Sequence, residues 1–265
     1  MPFIDIRGQR LHYEDTGGVG PVIVFSHGLL MDASMWDVQV QALRGSYRCI
    51  TWDERGHGQT GGASEDFTYE DSADDLLGLL QSLGIARATF VGMSQGGYVS
   101  QRAAVRHPGI AQVLVFISTQ ATEEEPAKVA VYDTLIDAWE SDGLTDELAE
   151  TIAGLVIGSD CPESEEWIAK WKRVDRANLH AIYRALVTRQ DFTPRLSELD
   201  VPALVIWGDQ DPAISRDHAR ALAEGLPQGT LEVVAGAGHG VNFTHPDVVN
   251  PLLEHFLEPV LQSAQ

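Results

Sequence analysis

Two apolar patterns alternate along this chain. The first is a short continuous apolar run, the mark of a strand buried on both faces of a mostly parallel sheet. Residues 22–25, 48–52, 88–91, 113–117 and 203–207 have this character, and 231–234 predicts a last strand. The second is the helical period. Residues 69–83 carry a stripe of Leu76, Leu77, Leu79, Leu80 and Leu83, and Gly84 ends it. Residues 97–107, 216–226 and 248–261 also predict helices. At the start, 3–6 and 11–14 flank Arg7-Gly8 and predict a hairpin. Strands alternating with helices define an α/β protein with a largely parallel central sheet flanked by helices.

One stretch breaks the alternation. From 120 to 195 the strand runs vanish and helical segments take over, at 129–139, 146–156, 163–171 and 175–189. Glu123-Glu124-Glu125-Pro126 opens the stretch and Thr193-Pro194 closes it. The expected organisation is a core of 1–119 and 196–265 interrupted by a helical insertion, 120–195.

The chemistry gathers at strand ends, where open parallel sheets form their sites. Gly92-Met93-Ser94-Gln95-Gly96 lies between a strand and a helix, the arrangement of a nucleophile elbow. Glycine on either side allows the sharp bend that presents the serine oxygen outward. A nucleophilic serine needs a base. His239, in Gly238-His239-Gly240 after the last strand, has a ring whose pKa suits taking and returning a proton near neutrality. It also needs an acid to orient that ring. Asp211, after the strand ending at Trp207, is the candidate and Asp209 its rival. One of them is expected to shape the turn by accepting backbone amides. An oxyanion hole needs backbone N–H groups. Gln95, at a helix N-terminus, and Leu29, after His27-Gly28, are placed to supply them. The order Ser94, Asp211, His239 is that of the α/β-hydrolases.

Composition narrows the rest. The chain has 265 residues, 44% hydrophobic and 22% charged, and a formal net charge of −21. Such an acidic chain is a poor partner for nucleic acid and reads as a solvated surface. No apolar run has the length of a membrane span, and no secretory signal is recognised, so a cytoplasmic location is expected. Two cysteines, Cys49 and Cys161, make neither a disulfide framework nor a metal site.

With His27-Gly28, Asp53-x-Arg55-Gly56-His57-Gly58, Gly92-x-Ser94-x-Gly96-Gly97, Gly208-Asp209-x-Asp211 and Gly238-His239 in these positions, the chain resembles the α/β-hydrolase superfamily over nearly its full length. It looks most like the capped group holding 3-oxoadipate enol-lactonases, small carboxylesterases and cofactor-free haloperoxidases. The resemblance implies a serine hydrolase that cleaves a small carboxylic ester or lactone without a cofactor, under a cap that sets specificity. Ser94, where haloalkane dehalogenases and epoxide hydrolases carry aspartate, argues against those two activities. His57 is implied to be a satisfied structural histidine rather than a second base. Trp139, Trp167 and Trp171 are candidates to line an apolar chamber, against a plainer role packing the cap. Arg173, Arg176 and Arg184 are candidates to bind a substrate carboxylate, against solvated helix faces. Perhydrolase chemistry, and a slow ligand receptor on the same fold, are the alternatives; homo-oligomerisation stays open.

Overall fold

The computed structural model describes residues 2–62, 65–158 and 161–263. In chain order the elements are β1 (Phe3–Ile6), β2 (Gln9–Asp15), β3 (Val22–Ser26), α1 (Asp37–Leu43), β4 (Arg48–Trp52), α2 (Tyr69–Ser82), β5 (Ala88–Met93), α3 (Gln95–Arg106) and β6 (Ala111–Ile117). After β6 come α4 (Pro126–Asp142), α5 (Asp146–Val156), α6 (Ser164–Trp171) and α7 (Leu179–Val187). The chain closes with β7 (Ala203–Gly208), α8 (Arg216–Gly225), β8 (Gly229–Val234), α9 (Val241–Thr244) and α10 (Pro246–Ser263).

Eight strands form one sheet in the order β1-β2-β4-β3-β5-β6-β7-β8. The hairpin β1–β2 and the pair β2–β4 are antiparallel, and all later pairs are parallel. The hairpin turns on Arg7 and Gly8, both at positive φ, the two-residue turn whose twist suits paired strands. Every residue of β5 and β7 is buried, the physical content of the uninterrupted apolar runs. Those strands run parallel, so their C-terminal ends share one edge, and Ser94 and Asp211 emerge there. No helix among the described residues is long and apolar enough to cross a membrane.

Helix ends follow local chemistry. Thr68 and Asp71 form a reciprocal capping box at the start of α2, and Thr145 and Ser215 cap α5 and α8 with their hydroxyls. The segment expected as one helix over 175–189 is instead two pieces. The Asp175 side chain accepts the Ala177 amide and starts a 3₁₀ turn, Arg176–Asn178, before α7 begins at Leu179. Helix α1 and the short 3₁₀ turn before it, Ala33–Trp36, were not expected from the apolar pattern. The helix after Ser94 starts two residues sooner than its periodicity suggests, at Gln95. Between β6 and β7 the described residues hold helices and no strand.

Candidate active site

Ser94 sits between β5 and α3 with φ 48° and ψ −113°. A left-handed backbone at a non-glycine residue costs of order 1–3 kcal/mol, so its surroundings must hold it. The Ser94 amide donates to the Ile117 carbonyl at 2.9 Å, and the Ser94 carbonyl accepts from the Thr119 hydroxyl at 2.8 Å. The flanking glycines are steric necessities. A Cβ on Gly92 would lie 2.3 Å from the Gly96 oxygen, and one on Gly96 would lie 2.0 Å from the Ser26 oxygen. Their absence lets the first turn of α3 rest on β5 and on the end of β3.

His239 stands on the loop between β8 and α9. Its Nδ1–H donates to both carboxylate oxygens of Asp211, at 3.0 and 2.9 Å, and both side chains are almost wholly buried. Asp211 Oδ1 also accepts the amides of Ala213 and Ile214, at 2.8 and 3.0 Å. The carboxylate is therefore held from two sides. Asp209 does different work. It is exposed, accepts from the Gln210 side chain and from the Gly236 amide at 2.7 Å, and ties the end of β7 to the loop that leads to His239. Those two bonds hold its carboxyl below the usual range. The residue after α5 braces the same loop, where the Gly240 amide donates to the Ile157 carbonyl at 2.8 Å.

With Nδ1 engaged, Nε2 is the remaining ring nitrogen of His239. Ser94 and His239 line one cavity of about 80 Å³, together with Leu29 and Tyr98. No hydrogen bond joins the Ser94 hydroxyl to His239 among the described residues, a looseness common in unliganded sites. Much of the cavity wall comes from the helices between β6 and β7: Leu135 and Ile136 of α4, Ile152 and Leu155 of α5, and Ile182 and Leu186 of α7. Among the described residues neither the Leu29 nor the Gln95 amide has an intramolecular hydrogen-bond partner. Gln95 follows Ser94 in the chain and Leu29 lines the same cavity, and unpaired amides beside a serine are the kind of donor a developing oxyanion requires.

The supports of these two amides reach deep into the protein. Leu30, at φ 62°, turns the loop, and its carbonyl accepts the Trp171 indole N–H at 2.7 Å. Lys170, one residue earlier on α6, donates to Asp32 at 3.3 Å. On the other side, the Gln95 carboxamide accepts from the Tyr69 hydroxyl at 3.3 Å and donates to the carboxyl of Glu54. Burial pushes the Glu54 carboxyl up to about 8, against the opposing bond from Gln95.

Several expected residues lie elsewhere. Trp139, Trp167 and Trp171 are buried but form no part of the cavity wall. Apart from Ser94, Glu124 and His239, the wall is made of aliphatic and tyrosine side chains instead. Trp167 packs its ring 6.3 Å from that of Phe243, and Trp171 edges a separate cleft while pinning Leu30. Large indoles in a small helical layer fill the space between layers. Arg173, Arg176 and Arg184 also stand away from the cavity: Arg176 bonds the Glu140 carbonyl at 3.2 Å, and Arg184 is half-exposed near Asp66. His57 is outside the cavity too. Its Nδ1–H donates to the Arg55 carbonyl at 3.1 Å, but its buried Nε2 has no partner among the described residues, so the ring is only half satisfied. Burial, with His27 beside it, pushes its pKa down to about 3. A ring kept neutral in this way suits packing rather than proton transfer.

Other cavity residues were not singled out from the sequence. Tyr98 lies four residues after Ser94, one helical turn along the same face, and that spacing was the available signal. Glu124 and Tyr132 carry no local signal. Glu124 sits in an acidic triplet that reads as a solvated loop.

The chain belongs to the alpha/beta hydrolase family, whose model matches residues 23–252. It is 29% identical to a putative carbamate hydrolase, RutD, of Agrobacterium fabrum, across 96% of this chain and all of that one. It is 30% identical to a non-heme chloroperoxidase of Streptomyces lividans, across 95% of this chain and 97% of that protein. The crystal structure of the enol-lactonase from Burkholderia xenovorans LB400 superposes with a TM-score of 0.87 at 29% identity, covering 97% of this chain and 100% of that one.

Proposed function

We propose that this hydrolase cleaves a carboxylic ester or lactone of a small molecule through an acyl-enzyme on Ser94. The observation that carries the reading is the buried Asp211–His239 pair, which shares one apolar cavity with a serine on a strained strand-to-helix turn. The likeness to an enol-lactonase supports the same reaction class, since a lactone is a cyclic ester.

In this mechanism His239 Nε2 takes the Ser94 proton as the oxygen attacks the ester carbonyl. The tetrahedral oxyanion accepts hydrogen bonds from the Leu29 and Gln95 amides. Asp211 keeps the imidazole in one orientation and stabilises the imidazolium. His239 then returns the proton to the leaving alkoxide, giving alcohol and an acyl-Ser94 ester. Water, deprotonated by the same ring, attacks that ester, and its collapse releases the acid and restores Ser94.

The test is hydrolysis of short-chain 4-nitrophenyl esters by purified protein. Ser94→Ala should reduce turnover by about 10⁴-fold or more. Unchanged hydrolysis in that variant would sink the reading. The chloroperoxidase relative favours one side reaction, peroxide replacing water on the acyl-enzyme. Acetate- and peroxide-dependent halogenation, lost in the same variant, would reveal it.

A further inference from the structure

The wall of the cavity contains one acidic side chain that the mechanism leaves unused. Glu124 reaches it from the loop between β6 and α4. Behind Glu124 stands Arg189, and the two form an ion pair at 2.9 Å with side chains 6% and 1% exposed. Arg189 Nε also donates to the Thr122 carbonyl and Nη1 to the Leu186 carbonyl, both at 3.0 Å. Its guanidinium lies 4.4 Å from the ring centre of Tyr98, itself a wall residue, and its Nη2 is buried without a hydrogen-bond partner. A full positive charge therefore sits one layer behind the wall, and Glu124 stands at the wall and neutralises it.

No other cation compensates. All 18 lysines and arginines fall among the described residues, and none of them lines this cavity. Lys128 donates to the carbonyl of Ala213, a wall residue, at 2.7 Å and stands 3.8 Å from Glu125. Arg102 is held by Glu70 and by the Tyr98 and Gln190 carbonyls. A carboxylate carried into the cavity would lose its water and meet aliphatic walls and Glu124, with no free cation to pair with. An uncharged hydrocarbon chain would lose only unfavourable hydration.

We propose that this cavity receives the acyl side of the substrate and is selective for uncharged, apolar acyl groups, and that Glu124 is the specificity-determining residue because it occupies the Arg189 charge a substrate carboxylate would otherwise use. The inference rests on the ester-hydrolase reading and deepens it. It also sets this chain apart from any lactonase or esterase whose substrate bears a carboxylate on the acyl side.

The experiment compares two substrates of equal chain length, 4-nitrophenyl hexanoate and the mono-4-nitrophenyl ester of adipic acid, which replaces the terminal methyl with a carboxylate. Wild type should favour the hexanoate in kcat/KM by about 100-fold or more, because an unpaired carboxylate is costly to bury. A ratio within about threefold overturns the proposal. Glu124→Gln frees Arg189 and should narrow the ratio by roughly tenfold, through gain on the adipate ester. The double variant Glu124→Gln/Arg189→Met, which lacks both charges, should restore the preference for hexanoate. An unchanged ratio in Glu124→Gln, or a narrowed one in the double variant, removes Glu124 from the role. Calorimetric binding of both esters to Ser94→Ala separates the two readings. Selective binding of hexanoate without turnover in wild type sinks the hydrolase mechanism and keeps the selectivity. Equal turnover of both esters does the reverse, and neither binding to the variant nor turnover by wild type of either ester overturns both.

Discussion

Among the described residues, two buried Asp–His pairs have nearly the same geometry. His239 Nδ1 meets Asp211 at 2.9 Å, and His12 Nδ1 meets Asp53 at 2.9 Å. All four side chains are almost fully buried. Each aspartate also accepts two backbone amides, those of Ala213 and Ile214 for Asp211 and those of Ala33 and Gln59 for Asp53. The difference lies at the second ring nitrogen. In His12 it meets the Gln59 carboxamide at 3.1 Å, on a ring held in a strand against Phe3. In His239 it belongs to a ring lining the same cavity as Ser94. An oriented imidazole is common property of a folding device and a candidate catalytic device. What the free nitrogen faces separates them. Asp53 joins β2, the loop before α1 and the turn after β4, so its pair works as a clasp.

Breaking each clasp should therefore cost different things. Asp211→Asn leaves the shape intact but disturbs the ring's orientation and charge balance, and should lower kcat for a 4-nitrophenyl ester by roughly 10³- to 10⁴-fold. Its melting temperature should move far less than that of Asp53→Asn. The latter variant strips the charge from a carboxylate that burial pushes up but that His12, His27 and two amides together hold below its ordinary range. It should lose about 3 kcal/mol of stability in urea titrations, while kcat per folded molecule stays within about threefold. Equal losses of activity in the two variants would erase the distinction.

Glu54 connects the two regions, since it follows Asp53 in the chain and bonds the side chain of Gln95. Its carboxyl is raised to about 8 by burial, and that of neighbouring Asp75 to about 6, also by burial. The unfolded chain ionises Glu54 near its ordinary pKa, so the stability it contributes is complete below that value. It declines as pH rises and is gone above the folded value. From pH 6 upward, above the Asp75 value, this group should cost roughly 1 kcal/mol per pH unit, levelling off near pH 8. Glu54→Gln should remove that slope, and chemical denaturation at pH 6, 7 and 8 reads it directly. The smallest effect is expected at α6, where Trp171→Phe loses the bond to the Leu30 carbonyl and leaves a void where a fully buried indole packed; it should cost about 2 kcal/mol in melting experiments with a modest fall in kcat.

Much of the architecture was legible before any coordinates. Strands buried on both faces must be apolar at every position, so β5 and β7 announce themselves. Gly92 and Gly96 are legible because no other residue fits where backbone approaches backbone. Asp209 and Asp211 stood as rivals two positions apart, and only loop geometry assigned one to the Gly236 amide and the other to His239. Helix α1 escaped notice because its buried residues, Gln39 and Leu43, include a polar one, held by the Asn242 carbonyl and the Asn250 side chain from the far end of the chain.

The sequence by itself determined the layers, the strained serine turn and the residue types able to act on an ester, because each rests on local sterics or on a period of two to four residues. Tertiary structure alone decided which Asp–His pair shares a cavity with Ser94, which side chains between β6 and β7 form its walls, and that Glu124 neutralises Arg189 across 65 positions of chain. Those outcomes depend on how distant segments pack and on where charge is left uncompensated, and neither quantity is carried by any short stretch of sequence.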